Sequence, residues 1–224
     1  MAKTDDISTS RRARSRWAVF RLVLITAAMA ACAEGTVAYA DTQRWVPERI
    51  KVANGAVIMA GPAGYCIDTS ASRDGKQGAF VLFGSCASLS DSPKGKRPQI
   101  PAILMATVAS RDSNSTPFRA TFRAMANFLS SPAGRAALSR NGRAESVKIM
   151  QIIAAGDVLY IHASDKAPAK GQNVEAEYWR ALISVKDKLI TLTVLGLKDH
   201  PLASEVKHDL LREFAAKIAK VNHS

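Results

Sequence analysis

Val174-Glu175-Ala176-Glu177-Tyr178-Trp179-Arg180-Ala181-Leu182-Ile183-Ser184-Val185 is followed by Lys186-Asp187-Lys188 and then by Leu189-Ile190-Thr191-Leu192-Thr193-Val194-Leu195. Both outer runs are rich in β-branched and aromatic residues, which suit a pleated, half-buried strand. The polar triplet between them is a turn signal. A link that short cannot carry a crossover, so the two strands must be antiparallel neighbours. Residues 147–153 and 158–163 repeat the arrangement around Ala155-Gly156-Asp157. These four segments read as an antiparallel meander, with 164–173 as its longest break.

Downstream, Asp199-His200-Pro201 is a helix start signal. Leu202, Val206, Leu210, Phe214, Ile218 and Val221 then recur at helical spacing. Lys207, Arg212, Lys217 and Lys220 fall off that stripe and are expected on the surface. Upstream, residues 56–60 are a compact apolar run between Asn54-Gly55 and Gly61-Pro62, hence a strand between turns. Residues 65–68, 79–83 and 100–108 read as further strands. The polar stretches 69–78 and 90–99 read as loops. Thr116 and Pro117 supply an N-cap and a first helical proline for a helix carrying Phe118, Phe122, Met125 and Leu129. Ser131-Pro132 repeats that start. Its helix runs to Arg140, with Asn141-Gly142 as the left-handed cap. The sum is one α+β domain over 56–224, about eight strands and three helices, preceded by a lead-in at 41–55.

The first forty residues differ from the rest. Arg11, Arg12, Arg14, Arg16 and Arg21 precede an uncharged apolar run at 22–33, which has the length of a signal-peptide core. Ala38-Tyr39-Ala40 then offers small residues where signal peptidase needs them, so cleavage is expected between Ala40 and Asp41. Two variants stay open. Ala30-Ala31-Cys32 resembles the end of a lipobox, which would make Cys32 a lipidation site, although Met29 stands where leucine is usual. An uncleaved N-terminal anchor is the other. The Arg11-Arg12 pair is a weak twin-arginine signal, because Ala13-Arg14 follows it. Removal of 1–40 leaves Cys66 and Cys86, and an even count in an oxidising compartment reads as one disulfide. Without export they read as two buried thiols.

Composition narrows the function classes. The 224 residues are 47% hydrophobic and 22% charged, which excludes wholesale disorder and fibrous repeats. No uncharged apolar run reaches the roughly 18 residues of a membrane span, which excludes a polytopic membrane protein. His162, His200, His208 and His223 share no ligand spacing, so neither a metal nor another cofactor is expected. Gly61-Pro62-Ala63-Gly64 and Gly75-Lys76-Gln77-Gly78 fail as phosphate loops.

Three catalytic arrangements can be written. Ser85 follows a glycine, but Ala87 breaks the nucleophile-elbow pattern. Cys66 or Cys86 would need a free thiol and a histidine, for which His162 is the candidate. Asp68 with Asp74, or Glu175 with Glu177, could form a carboxylate pair, and the latter two share one face of a strand. Trp179 and Tyr178 point to opposite faces of their strand, so at least one enters the core. Trp45 is the remaining large aromatic anchor.

Charge is unevenly placed. The net charge is +12, and +9 without 1–40. Between Lys94 and Lys148 ten basic residues face two acids, Asp112 and Glu145. A clustered positive field attracts acidic partners and is weakened by salt. Arg119, Arg123, Arg135, Arg140 and Arg143 are the candidate surface. In an exported protein the partners would be an envelope protein, an acidic glycan or a lipid headgroup. Aromatics do not interleave with these residues as nucleic-acid stacking requires.

The segment Glu177-Tyr178-Trp179-Arg180-Ala181-Leu182-Ile183, its tight turn, the following strand and the final helix resemble the closing half of PsbP-like domains. Pro62-Ala63-Gly64-Tyr65-Cys66-Ile67-Asp68 is similar to the segment that opens their first strand pair. The resemblance covers residues 56–221 by pattern, and departs in the cysteine pair and the basic middle. It implies a helix-covered antiparallel sheet and a non-catalytic binding or assembly role, and it assigns no site residue. The chain also resembles small exported proteins of proteobacteria. The expectation is an exported, disulfide-stapled, non-catalytic envelope module. A small periplasmic hydrolase or thiol-dependent enzyme is the alternative.

Overall fold

The computed structural model describes residues 44–110, 116–169 and 171–223. Cys32, the Ala40/Asp41 junction, Arg111 and Asp112 lie outside the described residues. Among the described residues no helix is long and apolar enough to cross a membrane.

The architecture is α+β, as the strand and helix periodicities require. Strand β1 (Arg49–Val52) pairs with β2 (Val57–Ala60) in a small separate sheet. Seven strands form the main sheet: β3 (Tyr65–Gly75), β4 (Gly78–Ser85), β5 (Ile103–Ser110), β6 (Val147–Ala155), β7 (Val158–Asp165), β8 (Val174–Val185) and β9 (Lys188–Leu197). Their order is β3-β4-β5-β9-β8-β7-β6, antiparallel throughout. Two meanders, β3–β5 and β6–β9, therefore join where β5 pairs with β9, from Ile103 opposite Leu195 to Ser110 opposite Lys188.

Among the described residues four α-helices complete the fold: α1 (Cys86–Leu89), α2 (Phe122–Ser130), α3 (Pro132–Leu138) and α4 (Ser204–Asn222). Helix α4 packs on β8, β9 and β2. It buries Leu210, Leu211, Phe214 and Ile218 against one face of the sheet, with Phe83 edge-on to Phe214 at 5.1 Å. Each such side chain contributes about 1.5–3 kcal/mol by leaving water. Helices α2 and α3 lie against β6, and Phe122, Leu129 and Leu138 cover Leu159, Ile161 and Tyr178 on the opposite face. Trp179 and Tyr178 are thus both buried, one in each layer, while Trp45 is exposed.

Cys66 in β3 and Cys86 at the start of α1 form a disulfide, Cα to Cα 4.8 Å. The staple closes the β3–β4 hairpin onto α1 rather than joining two strands.

Several boundaries differ from the sequence expectation, each for a local reason. The lead-in contains β1, because Ile50 and Val52 alternate with Arg49 and Lys51, and Ala53, Asn54 and Gly55 turn back with φ of 54°, 57° and 80°. The stretch 69–78 is mostly strand. β3 runs on to Gly75 after a register shift between Asp68 and Arg73, and its end faces solvent, so it carries no apolar signal. Pro117 precedes a 3-10 turn, Phe118–Thr121, so neither it nor Thr116 caps α2. Ser131 does cap α3, accepting from the Gly134 N–H. Gly134 has no alternative there, since a Cβ would overlap the Phe128 carbonyl. Helix α3 ends at Leu138 with an extended Ser139, before Asn141-Gly142. Helix α4 begins at Ser204, because His200 is first held by a bridge to Leu197. Lys207, expected on the surface, is 1% exposed.

Candidate functional site

The buried Lys207 organises a polar cluster beneath the first turns of α4. Its Nζ lies 3.2 Å from Glu175 Oε2 and 3.4 Å from Glu177 Oε1. The two glutamates do share a face of β8, but that face is turned towards α4. The Glu175 carboxylate lies over Gly196, where a Cβ would displace it from its present position. His162 Nε2, from β7, is 2.9 Å from Glu177 Oε1 and 3.2 Å from Ser204 Oγ. Trp179 Nε1 donates to the same Oγ at 2.9 Å. The His162 ring stacks on Trp179 at 4.6 Å, and the His208 ring lies tilted against the same indole at 4.3 Å.

Ser204, His162 and Glu177 are the residue types of a hydrolytic triad. Their geometry is not that of one. A proton relay needs the hydroxyl on one imidazole nitrogen and the carboxylate on the other. Here both meet Nε2, and the hydroxyl already accepts from Trp179. The cluster fastens α4 to β7 and β8.

Its electrostatics follow from burial against neighbouring charge. Burial pushes the Glu177 carboxyl up, but the His162 hydrogen bond and the Lys207 charge outweigh it and hold the group below its ordinary 4.5. Burial holds His208 below its ordinary 6.5, with Arg212 acting the same way, and its Nε2 has no hydrogen-bond partner. Stability is therefore expected to fall in two stages on acidification. The His208 contribution is complete above about 6.5 and is lost as pH drops towards its lower folded value. The Glu177 contribution is complete above 4.5 and is lost as pH falls through its depressed folded value. His208→Gln should erase the upper stage alone in thermal melts across the acid range. A wild-type protein with no pH dependence above 4.5 would contradict this assignment.

Of the concavities that adjoin the helices, two are lined by candidate arginines. A groove of about 970 Å³ runs beside α4, floored by Val158, Tyr160 and Ile183 and walled by Ala215 and Ala219. A cleft of about 490 Å³ lies between α2 and the β6–β7 hairpin, floored by Phe122, Ile152 and Leu159. Arg119 and Arg123 both line the cleft, and Arg119 also lines the groove. Arg119 Nε is 3.5 Å from Asp157, with both side chains exposed, so the pair is weak and exchangeable.

The other candidate arginines are placed differently. Arg135 donates to the Ser130 carbonyl at 2.6 Å. Arg143 lies 3.7 Å from Glu145 on an exposed turn. Arg140 turns inward and donates to the carbonyls of Asp165, Ala167 and Glu175, so it ties the end of α3 to the loop after β7. Among the remaining sequence candidates, Asp68 caps the Ser70 and Ala71 N–H groups, and Asp74 accepts from the Ala53 N–H. Ser85 Oγ is buried without a partner. Both cysteine sulfurs are joined to each other, so neither is a thiolate in this state.

No protein-family model matches the chain, and no curated protein matches it.

Proposed function

We propose that the protein is exported, is cut between Ala40 and Asp41, and serves at the cell envelope as a non-catalytic, disulfide-stapled binding module. Its acidic partner sits on the Arg119/Arg123 cleft. The observation that carries this reading is the convergence of two exposed guanidiniums, one helical turn apart, on one apolar-floored cleft. Cations beside apolar surface suit an acidic glycan, a lipid headgroup or an acidic envelope protein. The disulfide favours an oxidising compartment. The pattern likeness to PsbP-like domains favours assembly over catalysis.

Charge reversal is the test. Arg119→Glu with Arg123→Glu should reduce co-sedimentation with envelope membranes at least about tenfold and flatten its salt dependence. Association unchanged by the double variant would remove the cleft from the account.

A further inference from the structure

Strand β8, next to the central β9, carries an arginine whose Nε finds no hydrogen-bond partner among the described residues. Arg180 sits between Ile161 on β7 and Thr193 on β9, on the face that α2 and α3 cover only in part. Its Nε is buried without a hydrogen-bond partner. Its guanidinium lies 4.8 Å over the Tyr178 ring. Among the described residues no carboxylate pairs with it. Asp165, on the same face, accepts instead from the Arg140 and Ala167 N–H groups at 2.6 and 2.9 Å. Arg180 as a whole is half-buried, with its Nε enclosed, and a partly enclosed cation without a carboxylate partner is costly, so chains normally replace or pair it.

The neighbours indicate what is missing. The strand register places Thr193, Met105 and Leu82 in one row leading away from Arg180. Ile103 and Phe80 flank that row on the same face. Thr193 is buried, whereas Met105, Leu82, Ile103 and Phe80 are half-buried, because α2 and α3 lie over the β6 side of the sheet. Among the described residues, a cation at one end of this half-buried apolar strip is complementary to an anion joined to a hydrocarbon.

We propose that Arg180 binds the acidic head of an amphiphile, a carboxylate or phosphate, whose hydrocarbon lies along Met105, Leu82 and Ile103. The site does not rest on the Arg119/Arg123 cleft, since none of its residues lines that cleft. The head group accepts from the guanidinium, and the charge pair forms beside apolar surface, where it is screened less than in water.

The probes are submicellar laurate, dodecyl phosphate, dodecanol and inorganic phosphate, titrated into the folded domain by calorimetry. Laurate and dodecyl phosphate should bind, and dodecanol and inorganic phosphate should each bind at least about tenfold more weakly. Arg180→Met keeps the apolar stem, and should weaken laurate at least about tenfold while raising the ligand-free melting temperature. Met105→Glu should weaken laurate as well, by placing a like charge on the strip. Four results would overturn the proposal. Laurate could fail to bind, Arg180→Met could bind laurate as the wild type does, or inorganic phosphate could match dodecyl phosphate, which would make the site one for a free anion. A lower melting temperature for Arg180→Met would assign Arg180 to the fold instead.

Discussion

Lys207→Ala is expected to destabilise the domain by about 3–5 kcal/mol, the range for breaking a buried ion pair from one side. The ammonium is 1% exposed and is held by two carboxylates. Deleting it removes the cation, leaves a void under α4, and strands Glu175, whose side chain is 18% exposed, beside the apolar core. Because a domain of this size is stable by only about 5–15 kcal/mol, the loss is a large share of the total. Lys207→Met separates the two causes. It restores most of the volume but not the charge, so it should recover part of the loss. Adding Glu175→Gln to Lys207→Met should recover more, since the stranded carboxylate is then gone. Urea denaturation at neutral pH measures all three variants. A loss below about 1 kcal/mol for Lys207→Ala would mean that the side chain reaches water in solution, as surface pairs do.

The second large effect belongs to the staple. Cys66 and Cys86 are separated by 20 residues, and closing a loop of that size restricts the unfolded chain by about 3 kcal/mol. The double substitution Cys66→Ala with Cys86→Ala should lower stability by that amount and leave the strand pairing intact, because Cys66 and its neighbours are held opposite Gly84 by the β3–β4 ladder. The same protein under reducing conditions should match the double variant. Equal stability of oxidised and reduced protein would show that the bridge contributes nothing to the fold.

The meander from β6 to β9 was legible because two of its three links are tight turns and its strands alternate against a core on both faces. Lys186 and Asp187 alone link β8 to β9, both with positive φ, which is the tight hairpin the polar triplet demanded. The pairing of β5 with β9 was not legible, since nothing local in either strand specifies a neighbour some eighty residues away. The outer half of β3 escaped for a different reason. A strand end that packs against nothing shows polar residues and reads as a loop. Lys207 escaped because the helical stripe predicts which side faces the core, but a lysine there is recognisable only once Glu175 and Glu177 are seen across from it. Arg180 escaped in the same way. In sequence it is one polar residue in an apolar strand, and its missing partner becomes visible only after both flanking strands are placed.

Of the five candidate arginines, charge counting could not separate Arg140, which is consumed by backbone carbonyls, from Arg119 and Arg123, which share a cleft. A helical spacing of four residues between Arg119 and Arg123 was the available signal. The His162, Ser204 and Glu177 grouping had no sequence signature, because its members come from three separate elements.

The most direct measurement is the intact mass of the protein from its native host, before and after reduction. The expected species begins at Asp41 and gains two hydrogens on reduction, as an exported chain with Cys66 joined to Cys86 must. A full-length chain with both thiols free would contradict the compartment, the staple and the envelope role together.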